Sequence, residues 1–298
     1  MITAETPEKS RRTRIVLTAL DVVGRTMIAT GVLLLLFVAY QLWGTGLAES
    51  RSQSALADEF ETVISTPVTQ STLPAYGDVI SRIEIPKIGV DKFVVAGVDA
   101  ESLRKGPGLF PGSPLAGQLG NVAITGHRTT YGAPFSRIDE IGVGDEVIVQ
   151  TADGTFTYVV NAEPFVVEPT QTEVAKTLDR DKATLTLISC HPRWTSEKRI
   201  VVTADLVPTQ EPSAPTEFVA QDVTEIPDAL SEGWFHDPAA WPWVIVLLVV
   251  LIALYVGAIF ATRRGVRAYI SYPVMAVVMF PVLFVFFGQL SRLLPTGI

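Results

Sequence analysis

Three long apolar runs constrain this chain more than anything else in it: Met27–Trp43 towards one end, and Val244–Phe260 and Ala268–Leu290 towards the other. Each is long enough to cross hydrocarbon as a helix, which rises about 1.5 Å per residue and needs roughly 17–25 residues. Lys9, Arg11, Arg12, Arg14 and Arg25 precede the first run, and Arg263, Arg264 and Arg267 separate the second from the third. Basic flanks stay cytoplasmic, so both clusters inside makes all three spans agree and leaves the middle of the chain and its C-terminus outside. Trp234, Trp241 and Trp243 at the head of the second run suit a membrane–water interface, with His236 among them in a structural role. Pro273 and Pro281 would kink the third span without preventing it. A competing reading of the first run is a cleaved signal peptide, because Gly46-Leu47-Ala48 is a small-x-small triplet. The run exceeds the usual ~7–15-residue signal core, which favours an uncleaved anchor.

These limits divide the chain of 298 residues as follows. A basic cytoplasmic segment (1–26) leads into a first span (27–43) and an extracytoplasmic stalk (44–76). A compact domain (77–208) is followed by a Pro-rich tether (209–240), a second span (241–260), a basic cytoplasmic loop (261–267) and a third span (268–290). The stalk is polar, rich in Ser, Thr and Ala, and shows little periodicity. The compact domain reads as short strands parted by turns: Ile80–Ile85, Phe93–Val98, Asn121–Thr125, Glu146–Thr151, Thr155–Asn161, Thr184–Cys190 and Arg199–Leu206. Asp153-Gly154 is a hairpin signal, since glycine tolerates the positive φ such turns demand. Gln171–Leu178 is the one short helix expected, with Thr170 as N-cap and Glu173 three residues on. Many short strands with few helices point to a barrel or sandwich and away from a parallel α/β sheet.

A net charge of −8 and the lack of a basic stripe in the middle region argue against a nucleic-acid surface. Three histidines and one cysteine lie without metal-ligand spacing, and no Gly-rich phosphate loop follows a strand, so neither a metal nor a cofactor is expected. The single Cys190 cannot form an internal disulfide. It is an inert buried thiol, half of an intermolecular bridge, or a nucleophile. Its position bears on the choice. Cys190 closes the strand Ala183–Cys190 and Arg199 opens the next β-branched run, so antiparallel pairing sets thiol and guanidinium at one end of a hairpin. Nearby cations favour the thiolate, the form that attacks carbonyls. His127 leaves the strand Asn121–Thr125 at a Gly-His-Arg step, where an imidazole could protonate a leaving amine. His191 is its rival but, adjacent to Cys190 on extended chain, faces the opposite way. Arg128, Arg137 and Arg193 equal Arg199 in composition. Only Arg199 begins the strand after the cysteine loop, where its fixed donors can hold a peptide carbonyl or oxyanion.

From about Ile80 to Val207 these residues resemble the sortase family of Gram-positive transpeptidases. The family's Thr-Leu-x-Thr-Cys appears as Thr186-Leu187-Ile188-Ser189-Cys190, with serine for threonine and the hydroxyl kept. Its histidine matches His127 in Ile124-Thr125-Gly126-His127 and its arginine matches Arg199 in Arg199-Ile200-Val201-Val202. Gly126-His127-Arg128-Thr129-Thr130-Tyr131-Gly132-Ala133-Pro134-Phe135, with Cys190-His191-Pro192, looks most like the class E sortases of actinobacteria. No Asp-Pro-aromatic lid motif of the class C kind stands between Ser50 and Gly77. The resemblance implies an all-β fold, a closed eight-stranded sortase-type β-barrel flanked by transmembrane helices. It implies a catalytic domain outside the cell membrane that cleaves a Leu-Pro-x-Thr-Gly or Leu-Ala-x-Thr-Gly sorting signal of surface proteins or pilins. An amine of a cell-wall precursor or a pilin lysine would then accept the Thr carboxyl. His127, Cys190 and Arg199 would be catalytic, and Thr125, Arg128 and Tyr131 would line the peptide groove. Leu294-Pro295-Thr296-Gly297 lacks the intervening residue of such a signal and reads as coincidence. Two other functions fit the residues: a membrane-anchored cysteine peptidase that uses water, and a silent barrel that binds envelope peptides.

Overall fold

Alternating apolar residues in the middle of the chain close a sheet on itself. The structure, a computed structural model, describes residues 7–65, 74–214, 238–264 and 267–293. Trp234, His236, Leu294–Gly297 and most of the Pro-rich tether lie outside those residues. The chain divides into two units, Met1–Gln41 and Leu42–Ile298. The first consists of helix α1 (Pro7–Ala39), whose leucines and valines at 32–35 are exposed as a lipid-facing surface requires.

In the second unit, helix α2 (Thr45–Ser65) precedes strands β1 (Val79–Ile85) and β2 (Val90–Ala96), and helix α3 (Ala100–Lys105) follows them. Next come β3 (Gly108–Leu109), β4 (Gly120–Thr125), β5 (Glu146–Thr151) and β6 (Gly154–Val160). The barrel's last strands are β7 (Phe165–Val167), β8 (Ala183–His191) and β9 (Lys198–Leu206). Helices α4 (Trp241–Arg263) and α5 (Ala268–Leu293) end the described chain. The sheet runs β6-β5-β1-β2-β3-β4-β8-β9, and β9 pairs again with β6, so eight strands form a closed barrel. A ninth, β7, shares the outer edge of β9 with β6: Val167 sits opposite Arg199, while Val160 sits opposite Ala204. Closure leaves no free sheet edge among the eight.

Period-two alternation sorts the wall. Ile83, Ile85, Val122, Ile124, Leu185, Leu187, Ile200 and Val202 fill the interior with the fully buried Phe135 and Tyr158. The outward residues are covered in two places. Ala123 and Ile188 lie under Val98, Leu103, Phe110 and Ala175, contributed by α3 and its flanks and by a 3-10 turn at Thr172–Ala175. Val79 and Val95 lie under Leu56 and Phe60 of α2.

That second cover corrects the stalk expectation. Residues 45–65 form a helix seated on the barrel. Thr45, Glu49, Gln53, Leu56, Phe60 and Val63 recur at intervals of three and four, one face of a helix. Its lower half is apolar; its upper half binds by polar groups. The Gln53 amide accepts from Phe93 N–H (2.8 Å) and donates to the carbonyls of Phe93 (3.0 Å) and Lys105 (2.9 Å). Glu49, 1% exposed, pairs with Lys92 Nζ at 2.6 Å. The expected helix at Gln171–Leu178 shrinks to the 3-10 turn Thr172–Ala175, where no side chain caps the first turn.

α1 with its continuation, α4 and a segment of α5 (Pro273–Leu293) are long and apolar enough to cross a membrane. α4 and α5 pack through Ala240, Val244, Phe286, Leu290 and Leu293, and α5 stays helical through Pro273 and Pro281.

Candidate functional site

Register assembles the site. In the β8–β9 hairpin Cys190 pairs with Arg199 and His191 with Lys198, so each strand runs one residue beyond its expected end. Directly opposed residues project from the same face. That face is the barrel's exterior, because Ile188, two residues before Cys190, belongs to the outer cluster and Leu187 to the inner one. β4 runs parallel to β8 with Thr125 opposite Ile188, so continuing the register brings His127 level with Cys190. The Gly126 N–H donates to the Ile188 carbonyl (3.2 Å), and Ser189 Oγ donates to the Gly126 carbonyl (2.8 Å). The serine standing where the family has threonine therefore ties the histidine's chain to the cysteine's. Gly126 itself has no alternative, as a Cβ there would meet the Phe135 ring at 2.9 Å.

Cys190 is half-buried. Burial pushes its thiol above the ordinary cysteine range, against the opposing pull of the Arg199 and Arg128 guanidinium groups. His127 is 6% exposed, and burial, seconded by the Arg104 charge, pushes its imidazole down to about 4. At neutral pH both groups therefore rest uncharged. Arg199, 4% exposed, donates through Nη1 to the carbonyls of Ser196 (2.8 Å) and Lys198 (3.0 Å), which fixes the guanidinium across the hairpin mouth. Burial lowers its own pKa. A groove lined by Val167, Thr172, Val174, Ala175, Ile188 and Arg199 leads to this point.

Thr125, Arg128 and Tyr131, expected along the groove, are instead buried in the wall at 2%, 4% and 6% exposure. Thr125 Oγ1 donates to the Ile188 carbonyl (3.1 Å). Arg128 donates to the Cys190 carbonyl (3.1 Å), lies 3.2 Å from His191 Nδ1 and pairs with Asp139 at 2.7 Å. The Tyr131 ring lies 5.1 Å from that of His127. Sequence reasoning missed Arg104, whose guanidinium lies 5.8 Å from the Tyr131 ring. Its short helix α3 carries no periodic signal. Its N-cap is Asp99, which accepts from the N–H groups of Glu101 and Ser102. Among the described residues no group of His, Cys, Asp and Glu could hold a metal ion.

A closed barrel that carries a thiol, an imidazole and a guanidinium on its outer face, at one rim, is a recognised protein class. The sortase domain profile matches residues 83–207, nearly the whole barrel. The chain's relatives include sortases of the E and D types. Sortase SrtE1 of Streptomyces coelicolor is 29% identical over 224 residues, covering 69% of this chain and 62% of that protein. Sortase D of Bacillus subtilis is 33% identical over 119 residues, covering 40% of this chain and 58% of that protein. The chain thus spans about three fifths of the length of these two relatives. The solved sortase E of Streptomyces avermitilis is 35% identical, with a TM-score of 0.40 over 45% of this chain and 91% of that one.

Proposed function

We propose that this protein is a membrane-anchored cysteine transpeptidase with its barrel outside the cell membrane. It cleaves a Leu-Pro-x-Thr-Gly- or Leu-Ala-x-Thr-Gly-like signal between Thr and Gly and joins the Thr carboxyl to an amine of the cell wall or of a pilin. The observation that carries this reading is the pairing of Cys190 with Arg199 on the barrel's outer face, level with His127. The extracytoplasmic placement follows from the two basic clusters.

The steps follow from the resting charges. Cys190 passes its proton to His127, and the thiolate attacks the Thr carbonyl carbon, forming a C–S bond. Arg199 steadies the oxyanion of the tetrahedral intermediate. His127 returns the proton to the departing Gly nitrogen as the C–N bond breaks, leaving a thioacyl enzyme. The accepting amine then attacks the thioester. His127 takes its proton, the new amide forms as the C–S bond breaks, and the departing thiolate recovers that proton from His127. Thr125 and Arg128 are assigned to holding the two strand ends together rather than to touching the peptide.

The test uses the full chain in detergent or nanodiscs with each of the two peptides and an amine. A mass increase on Cys190 matching the peptide through its Thr is expected, discharged faster as amine is added. Discharge indifferent to amine would make the protein a peptidase, and full cellular function of Cys190→Ala would make it a scaffold. Because the thiol sits above the ordinary cysteine range, its alkylation by iodoacetamide should keep rising past about pH 8.5. A plateau already reached at neutral pH would contradict that resting state.

A further inference from the structure

The segment that carries His127 beyond β4 folds back through an unusual conformation. Tyr131, Gly132 and Ala133 have φ of 49°, 73° and 43°, three left-handed residues in succession, of which only one is glycine. Side chains adopt such angles only where their surroundings hold them there. The surroundings are the first turns of α2. Thr45 Oγ1 accepts a hydrogen bond from the Tyr131 N–H (3.1 Å). Gly46 packs against the Gly132 backbone, and a Cβ on Gly132 would collide with the Glu49 carboxylate. From the other side, the Tyr131 hydroxyl lies 3.5 Å from Ser291 Oγ in the last turn of α5. The residues that grip this loop thus belong to α2, which continues the helix of the first span, and to the last turn of α5, which ends the third span.

The imidazole has little else to orient it. His127 Nε2 is buried without a hydrogen-bond partner among the described residues, and the ring rests on Tyr131. Arg104 faces Tyr131 from α3, and Arg128, Cys190 and Arg199 stand on the barrel side.

We infer that Tyr131 is a positioning residue through which α2 and α5, the helices joined to the membrane spans, set the His127 imidazole for proton transfer. The inference rests on the transpeptidase reading for its kinetic consequence but not for its structural one. Anchoring then has a second role beside tethering: the helices that hold the barrel to the membrane also align the acid/base. A barrel detached from them keeps its thiol and guanidinium, which the β8–β9 hairpin fixes alone, and loses the alignment of its histidine.

Two measurements on the full chain in nanodiscs test this. With ring-labelled histidine and His127→Gln to assign the signal, Tyr131→Leu and Thr45→Val are each expected to move the His127 titration up by a pH unit or more, and Thr45→Ser to restore it. In peptide transfer, Tyr131→Leu should lower kcat at least tenfold and Thr45→Val three- to tenfold, with KM within twofold and Cys190 alkylation unchanged. An unmoved histidine titration in both variants overturns the inference, as does a rise in KM in place of the fall in kcat. Absence of transfer by the unmodified protein, with the titration moving as stated, sinks the transpeptidase reading and leaves the positioning intact.

Discussion

Two loops leave the same rim of the barrel, and they are built in opposite ways. The histidine loop, residues 126–135, is buried or half-buried at every position except Gly132, and it is tied to β8, α2 and α5. The cysteine–arginine loop, residues 192–197, is exposed at every position except Ser196, and Trp194 is 59% exposed. Its internal ties are the Thr195 N–H to the Pro192 carbonyl (3.0 Å) and the Arg199 guanidinium to the Ser196 carbonyl. On the transpeptidase reading, a proton donor must hold its geometry to a fraction of an ångström, whereas a wall that receives variable peptides gains from being able to move. The imidazole sits on the tied loop and the thiol beside the open one.

The contrast can be broken at both ends. The largest effect is expected at the fixed root of the open loop. Arg199→Lys replaces a planar fork with a point charge that cannot keep both carbonyl bonds and face substrate, and kcat should fall by about 10²–10³-fold with Cys190 alkylation retained. Next comes the foundation of the histidine loop. Lys92→Met leaves the buried Glu49 carboxylate unpaired beneath Gly132 and should destabilise the full chain by about 3–5 kcal/mol in chemical denaturation.

His127 adds a pH signature of similar size. Its pKa falls from an ordinary 6.5 to about 4 on folding, so the unfolded chain binds more protons between those values. Stability should therefore be full above about pH 6.5 and decline by about 3 kcal/mol as pH drops to 4, at about 1.4 kcal/mol per pH unit. His127→Gln should flatten that decline, and a denaturation series across the window checks it. The smallest effect belongs to the compliant side: Trp194→Ala should raise KM several-fold and leave kcat within about twofold.

The same contrast explains what could be read from residue order. The β8–β9 hairpin was legible because Thr, Leu, Ile and Val alternate up to Cys190 and resume at Arg199, and pairing then puts the two opposite each other. The turn at Asp153-Gly154 was legible through glycine. The α2 cover was not, since half its buried face is Thr45, Glu49 and Gln53, residues that a hydropathy pattern counts as solvent-facing. β3 and β7, two and three residues long, are too short for alternation to show. Tyr131 was singled out, but for the groove. A tyrosine in a Gly-flanked loop gives no sign that its partners, Thr45 and Ser291, stand 86 positions before it and 160 after it.

One consequence follows from the way β6 and β7 queue along a single edge of β9. Because Val167 pairs in register with the very residue that faces the thiol, the groove's bank and the guanidinium ride on one rail. On the transpeptidase reading, a peptide that pressed the bank outward would pull on Arg199 through the paired strand. On that reading, filling the groove would then be felt at the guanidinium before any bond has changed.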